Sequence, residues 1–329
     1  MRLPGSEAAL AAAERQVFLM KRIYLTVEDH LNEINTFEKG CWVHLQNPTR
    51  EEIDGINARF ALDPTYIQSA LDEEESARIE RDGDQTLIIV DIPYVEAEGN
   101  GYSYTTVPLG IIMVDDVIIT VSTRESTIIT DFTEERIRGF WTFKRTRFIL
   151  QLLHRNASRF LAYLKQIDKA SMFVQTRLEA SMRNQELLQM MKLEKSLVYF
   201  STSLKGNEIV LEKLLRMNFV RDYPEDTDLL EDVIIENKQA IEMSNIYRDI
   251  LSGTMDAFAS VISNNLNIVM KLLAAVTIIL TVPTIVFGLW GTNVPVPFEH
   301  SPFGFAIVLG LGLLATLAAV LLAKGRKWL

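Results

Sequence analysis

The sequence predicts an α/β domain, then a long helix, then two membrane-spanning helices at the C-terminal end. Strand-like runs rich in β-branched residues occur before residue 123, helical periodicity begins near residue 127, and two apolar segments end the chain. Residues 272–290 and 303–323 carry no charged side chain, and each segment is close to the ~20 residues that a helix needs to cross a bilayer. A buried helical hairpin is the alternative, but the basic residues that follow at once favour membrane spans.

The charges around the two spans predict their orientation. Lys271 precedes the first span, a basic cluster of Lys324, Arg326 and Lys327 follows the second, and the connecting loop carries only Glu299 and His300. Because positive charge is retained on the cytoplasmic side of a plasma (inner) membrane, we expect the loop outside and both termini in the cytoplasm.

The first region has the pattern of a mixed α/β domain. Strands are predicted at 21–26, 42–45, 86–94, 105–114 and 117–122, with short helices at 51–60 and 64–71. Asp115 and Asp116 form the expected turn between the last two strands. We expect His44, within an apolar strand, to have a structural role.

The second region has helical periodicity. Apolar residues recur at spacings of three and four from 149 to 167 and from 193 to 204, which predicts two antiparallel helices joined near Arg183, with Pro224 ending the run. Between Thr227 and Trp290 the only helix breaker before Pro283 is Gly253. A single helix of roughly 60 residues, about 90 Å long, is therefore predicted, with two helices broken near Gly253 as the alternative.

These patterns divide the chain into eight segments. They are a leader or disordered segment (1–19), an α/β domain (20–126), a helical hairpin (127–225), a stalk helix (226–271), a first span (272–290), an outer loop (291–302), a second span (303–323) and a basic tail (324–329). The leader has charges around a short alanine run and lacks the apolar core of a signal peptide, so Met20 is a plausible alternative start.

Composition excludes several classes of function. The 329 residues have a formal net charge of −10 and no basic patch with interleaved aromatics, which argues against a nucleic-acid partner. Cys41 is the only cysteine, and the four histidines lack metal-ligand spacing. The sequence has no phosphate loop, nucleophile elbow or acid–base pair, so we predict neither an enzyme nor an organic cofactor.

The first span has a polar stripe. Thr277, Thr281, Thr284 and Gly288 recur at spacings of four, three and four, and Asn267, Met270 and Leu273 continue the same stripe towards the N-terminal side. Threonines in membrane helices often bond to their own backbone or join helices, which is one interpretation. The other is a pore lining, and one stripe encloses a pore only if several copies of the helix surround an axis.

Gly291-Thr292-Asn293 follows that stripe directly. Here the chain resembles the CorA family of divalent-cation transporters, whose signature Gly-Met-Asn ends the first of two C-terminal spans. Asn267, Met270-Lys271, the short outer loop and the terminal Lys-Trp-Leu are also similar to the family pattern. Thr292 stands where the family usually has Met, and variant signatures occur in relatives such as the ZntB branch.

The resemblance implies a CorA-like homopentamer in the lipid bilayer that conducts divalent cations, with Mg²⁺ first and Zn²⁺, Co²⁺ or Ni²⁺ as alternatives. It implies a ring of Asn293 side chains and Gly291 carbonyls at the outer mouth, where Mg²⁺ could be held with its waters. The threonines would follow inward, then an apolar constriction at Leu273 and Met270, then a polar ring at Asn267. Glu299 in the outer loop could attract cations, although a solvated carboxylate is the other interpretation.

The resemblance also implies a regulatory metal site between subunits. Asp232 matches the family's metal-binding aspartate, but its expected partner position is Ser69, with Asp72 to Glu75 close by. Either Asp72 substitutes or sensing is weak, and a solvated acidic loop is the alternative. A non-conducting two-span receptor or scaffold stays open as a different class of function.

Overall fold

The computed structural model describes residues 20–98, 101–181, 184–217, 219–220, 224–298, 300–326 and 328. The chain divides into two compact units, and the boundary falls between Ser252 and Gly253. The predicted leader at 1–19, Glu299 and Lys327 lie outside the described residues.

The first unit is built on a seven-stranded mixed sheet in the order β2-β1-β3-β7-β6-β5-β4. The β3 and β7 strands pair in parallel, and the other neighbours pair antiparallel. The strands are β1 (Met20–Val27), β2 (His30–Ile34), β3 (Trp42–Gln46), β4 (Arg78–Asp82), β5 (Gln85–Glu98), β6 (Gly101–Val114) and β7 (Val117–Ser122). All six residues of β7 are buried, because helices cover both faces of the sheet at its centre.

Helices cover the two faces with separate hydrophobic clusters. On one face lie α1 (Arg50–Phe60) and α2 (Pro64–Leu71), and on the other lie α3 (Thr127–Thr133), α4 (Arg145–Ser181) and α5 (Asn184–Arg216). Thr49 begins α1 with a complete capping box, and the Asp63 side chain caps α2 ahead of Pro64. Trp42 is fully buried among aromatic rings on the α4 side.

His44 and Asp131 are two of the polar side chains that are buried in this unit. His44 is 5% exposed and bonds through Nδ1 to the Thr120 hydroxyl at 2.9 Å. Burial, with a smaller contribution from Arg22, lowers the pKa of His44 to about 4, which keeps it neutral. The Asp131 carboxylate accepts hydrogen bonds from Arg155 at 2.7 Å and Arg159 at 2.5 Å.

Three short elements were missed by sequence reasoning. Strands β2 and β4 lie at the two edges of the sheet, and both are short and largely exposed. Charged residues such as those in Arg78-Ile-Glu-Arg-Asp are typical of edge strands, but they remove the alternating pattern by which a strand is recognised. The seven-residue α3, beginning after the capping residue Ser126, is too short to give a helical period.

The long helix α6 runs from Pro224 to Trp290, a length of 67 residues, and α7 runs from Gly304 to Gly325. The prediction of one helix through Gly253 is confirmed. Pro224 was predicted only to end the preceding run, and it is in fact the first residue of α6. Proline is favoured there because the first helical N–H has no partner within the helix.

Candidate functional site

The C-terminal part of α6 and the whole of α7 expose apolar surface. The two helices contain windows with mean hydropathy 2.4 and 2.7, of which only 6% and 11% are buried. The core helix of a soluble protein would be mostly buried, so this surface fits a lipid environment. Leu280 is 65% exposed and Phe305 is 82% exposed.

One face of this part of α6 packs against α7. The buried or partly buried positions of this part are 275, 279, 282, 283, 286 and 290, which lie within roughly 100° of one another around the helix. The corresponding face of α7 includes Gly304, Gly312 and Ala323. The Phe287 ring lies over Gly312, where an added Cβ would stand 2.8 Å from the ring. The missing side chain of Gly312 thus leaves room for the Phe287 ring against the second helix.

The polar stripe lies on the opposite side of α6. At ~100° per residue, Thr277 points away from the face that contains Ala275. Thr277, Thr281, Thr284 and Gly288 are all exposed in the single chain, as are Asn267, Met270 and Leu273. The stripe therefore does not join α6 to α7.

Each threonine of the stripe bonds to the backbone of its own helix. The hydroxyls of Thr277, Thr281 and Thr284 donate to the carbonyls four residues earlier at 2.8, 2.7 and 2.9 Å. This is the back-bonding expected of threonine in a membrane helix. Because a hydroxyl has one hydrogen and two lone pairs, these oxygens remain able to accept a hydrogen bond or contact a cation.

The Gly-Thr-Asn segment forms the turn that ends α6. The Gly291 N–H donates to the Phe287 carbonyl at 3.0 Å, and the Thr292 hydroxyl donates to the Leu289 carbonyl at 2.9 Å. The Asn293 side chain is exposed and has no hydrogen-bond partner among the described residues. The last carbonyls of a helix carry partial negative charge, so this end of α6 attracts cations.

Sequence reasoning missed Trp290, which precedes this turn. Its indole Nε1–H donates to the Pro297 carbonyl at 3.0 Å, across the loop. The available signal was a tryptophan at the end of a span, a position that this residue favours at membrane interfaces.

The predicted regulatory residues are both exposed, Asp232 on α6 and Asp72 at the end of α2. The Asp72 carboxylate accepts from the Glu74 N–H at 3.0 Å, and the Ser69 hydroxyl accepts from Arg78 at 3.2 Å. Neighbouring Glu73 pairs with Arg124 at 3.1 Å. No group of three or more acidic, histidine or cysteine ligands occurs within the described ranges of this single chain.

Comparisons with known proteins agree on one family. A family model described as "CorA-like Mg2+ transporter protein" matches residues 37–327. The chain is 29% identical over 322 residues to a cobalt/magnesium transport protein CorA of Methanocaldococcus jannaschii, covering 92% of this chain and 96% of the relative. It is 23% identical over 310 residues to the Thermotoga maritima protein of the same description, covering 88% and 83%.

A solved structure shares the fold. The complete CorA magnesium transporter from Methanocaldococcus jannaschii superimposes with a TM-score of 0.82 and 24% identity. The superposition covers 95% of this chain and 100% of that chain. The predicted fold class, a soluble α/β part followed by a long helix and two C-terminal apolar helices, is thereby confirmed.

Proposed function

The chain belongs to the CorA-like Mg²⁺ transporter family, and we propose that it is an integral membrane channel or transporter for divalent cations, with Mg²⁺ as its main substrate. Its relatives' description as cobalt/magnesium transport proteins supports this assignment. Because the family is one of transporters, we assign the chain no enzymatic activity.

The exposed polar stripe on α6 is the observation that supports conduction best. A helix surrounded by lipid gains nothing from three hydroxyls on one face, and α7 does not cover that face. Other copies of the chain around a common axis would cover it and would turn the stripe inward. We therefore propose a homo-oligomer, a pentamer by analogy with the family, whose first spans line an axial pore.

The back-bonded threonines are compatible with that pore. Each hydroxyl directs its hydrogen towards its own helix, so its free lone pairs would face the axis. A ring of such oxygens suits a hydrated cation, which presents the hydrogens of its waters outward. Further inward, Leu273 and Met270 would form a constriction able to gate by dewetting, followed by a polar ring of Asn267 side chains.

The outer mouth would bind the incoming ion. Mg²⁺ keeps several of its waters and prefers oxygen ligands, and the site needs few full charges to hold it. The unpartnered Asn293 amide and the Gly291 carbonyl supply oxygens beside the negative end of the α6 dipole. Thr292 uses its hydrogen on Leu289, so it acts mainly as a cap of the helix. Glu299 is proposed as an accessory charge in the loop.

We place the loop outside a plasma (inner) membrane and both termini in the cytoplasm, because positive charge flanks the two spans. In that orientation Asp232 and Asp72 would lie in the cytoplasm. A regulatory Mg²⁺ site there would require carboxylates from two subunits, since one chain does not complete it within its described part. Arg78 bonds to Ser69 and Arg124 pairs with Glu73, and both arginines reduce the negative charge near Asp72. We therefore expect weak sensing of cytoplasmic Mg²⁺.

Uptake into proteoliposomes tests the proposal. The purified protein should admit Mg²⁺, and Asn293→Ala should abolish or reduce the flux by more than about tenfold, because the mouth loses its oxygen ring. Asn265→Ala is the matched control: Asn265 is an exposed asparagine on α6, roughly 130° from the stripe, and the flux of this variant should match that of the unmodified protein.

The same assay separates the alternatives. A ranking with Zn²⁺, Co²⁺ or Ni²⁺ above Mg²⁺ would assign the chain to a branch of the family with another substrate. Satisfaction of every stripe hydroxyl within its own helix favours a second candidate, a non-conducting two-span receptor or scaffold. Absence of flux for all four ions, with an intact oligomer and internal Mg²⁺ removed, would support that candidate and contradict conduction.

A further inference from the structure

The loop between α6 and α7 is held by a small set of hydrogen bonds. The Gly291 and Thr292 bonds close back on the last turn of α6, and the Ser301 N–H bonds to the Phe298 carbonyl at 3.1 Å near the start of α7. These contacts each span only a few residues. They fix the two ends of the loop without fixing its middle.

The Trp290 bond is different, because it joins the end of α6 to the far side of the loop. The indole Nε1–H of Trp290 donates to the Pro297 carbonyl at 3.0 Å. This hydrogen bond closes a loop of the chain that contains Gly291 to Val296. Trp290 itself is partly buried and lies on the α7-facing side of α6. The hydrogen bond therefore couples the position of the end of α6 to the position of the loop.

We infer that Trp290 is a positioning residue for Asn293: its indole N–H holds the Pro297 carbonyl and so fixes the loop that presents the Asn293 amide at the outer mouth. This inference rests on the proposed function. Asn293 has no partner of its own among the described residues, so its placement depends on the backbone that carries it. Fixing that backbone before the ion arrives lowers the entropy lost on binding.

A bond that positions a ligand should affect the apparent affinity for the ion more than the maximum rate. Trp290→Phe keeps an aromatic ring and removes the donor. We expect the Mg²⁺ concentration for half-maximal flux to rise about three- to tenfold, the ratio expected for one hydrogen bond, while the flux at saturating Mg²⁺ stays within about twofold.

Two further variants keep the test specific. Incorporation of 3-benzothienylalanine at position 290 preserves the bicyclic shape, replaces the N–H by sulfur, and should reproduce the effect of Phe. Trp141→Phe is the control, since it also removes an indole N–H hydrogen bond, here to the Asp29 carboxylate at 2.6 Å in the first unit. The Mg²⁺ concentration for half-maximal flux in Trp141→Phe should equal that of the unmodified protein.

The outcomes distinguish this inference from the proposed function. If the unmodified protein carries no divalent flux, the proposed function fails and this inference fails with it. If the unmodified protein conducts and Asn293→Ala stops conduction, an unchanged half-maximal concentration in both position-290 variants overturns the role of Trp290 alone. Size-exclusion chromatography of each variant checks that the oligomer is intact.

Discussion

In the first unit, the buried side chains of Trp42 and Asp131 bond to elements distant in sequence, whereas in the second unit the threonine hydroxyls of the stripe bond to the backbone of their own helix. Trp42 reaches Thr120 on another strand at 2.8 Å, and Asp131 is held by arginines of α4. Thr277, by contrast, reaches only Leu273. These two side chains thus join separate elements of the first unit, whereas the stripe of the second unit joins none and is left for other contacts.

The two units also differ in what burial indicates. In the first unit, apolar residues form two clusters on either side of the sheet, and exposure marks the surface in contact with water. In the second unit, most apolar residues are exposed in the single chain, as expected of a surface that contacts lipid. The informative feature there is an exposed polar residue, since lipid offers it no partner.

The largest expected effect comes from the buried carboxylate of the first unit. Asp131→Ala should lower the free energy of unfolding by about 3–5 kcal/mol, because Arg155 and Arg159 lose the group that neutralises them. Urea unfolding followed by circular dichroism measures this change. A loss below about 1 kcal/mol would show that these arginines find other partners or water, and would remove the contrast between the units.

Acidification should act on the first unit through His44. Its pKa is lowered to about 4 mainly by burial, while an unfolded histidine titrates near 6.5. The unfolded chain then binds the proton more readily, so stability present above pH 6.5 is lost as the pH falls towards 4. The free energy of unfolding should fall by about 3 kcal/mol through this one histidine.

His44→Gln isolates this contribution. It removes the imidazole, so the fall in unfolding free energy between pH 6.5 and 4 should be smaller than in the unmodified protein by about the same amount. Parallel urea titrations at several pH values provide the measurement. Equal pH dependence of the two proteins would contradict the assignment to His44.

The smallest effects compare one glycine from each unit. The Cβ of Gly110→Ala would overlap the Ala70 side chain, which sits on a helix packed against the sheet, so we expect a loss of about 2–3 kcal/mol. In Gly312→Ala the new methyl meets the tip of the Phe287 ring, a side chain able to rotate, so about 1 kcal/mol is expected.

Unfolding of the two glycine variants can be followed separately. Urea unfolding reports Gly110→Ala, and the temperature at which the detergent-solubilised oligomer is lost reports Gly312→Ala. If Gly312→Ala loses as much stability as Gly110→Ala, or more, the membrane helices pack as rigidly as the sheet and its helices.

Much of the fold could be predicted from local pattern. Val117–Ser122, Pro64–Leu71 and the helix through Gly253 were found because long or strongly apolar segments carry a clear period. The edge strands at 30–34 and 78–82 were not found, since their pairing depends on neighbours and their residues are largely charged or exposed.

The candidate site was only partly accessible to sequence reasoning. The stripe of Thr277, Thr281 and Thr284 was found from spacing alone, and the Gly291-Thr292-Asn293 turn was found from resemblance. Trp290 was missed because its partner is the backbone carbonyl of Pro297. Every residue has a backbone carbonyl, so the sequence does not show which one accepts the bond. The roles of these residues in conduction remain predictions.

By itself, the sequence determined the order of the longer elements, the two apolar segments and the helical face that carries the threonines, because each depends on residues close together in the chain. Only the tertiary structure decided the strand order, the arginines around Asp131 and the side of α6 that meets α7. These features depend on contacts between residues far apart in sequence. Local spacing constrains such contacts but does not select among them, since many pairings bury similar apolar surface.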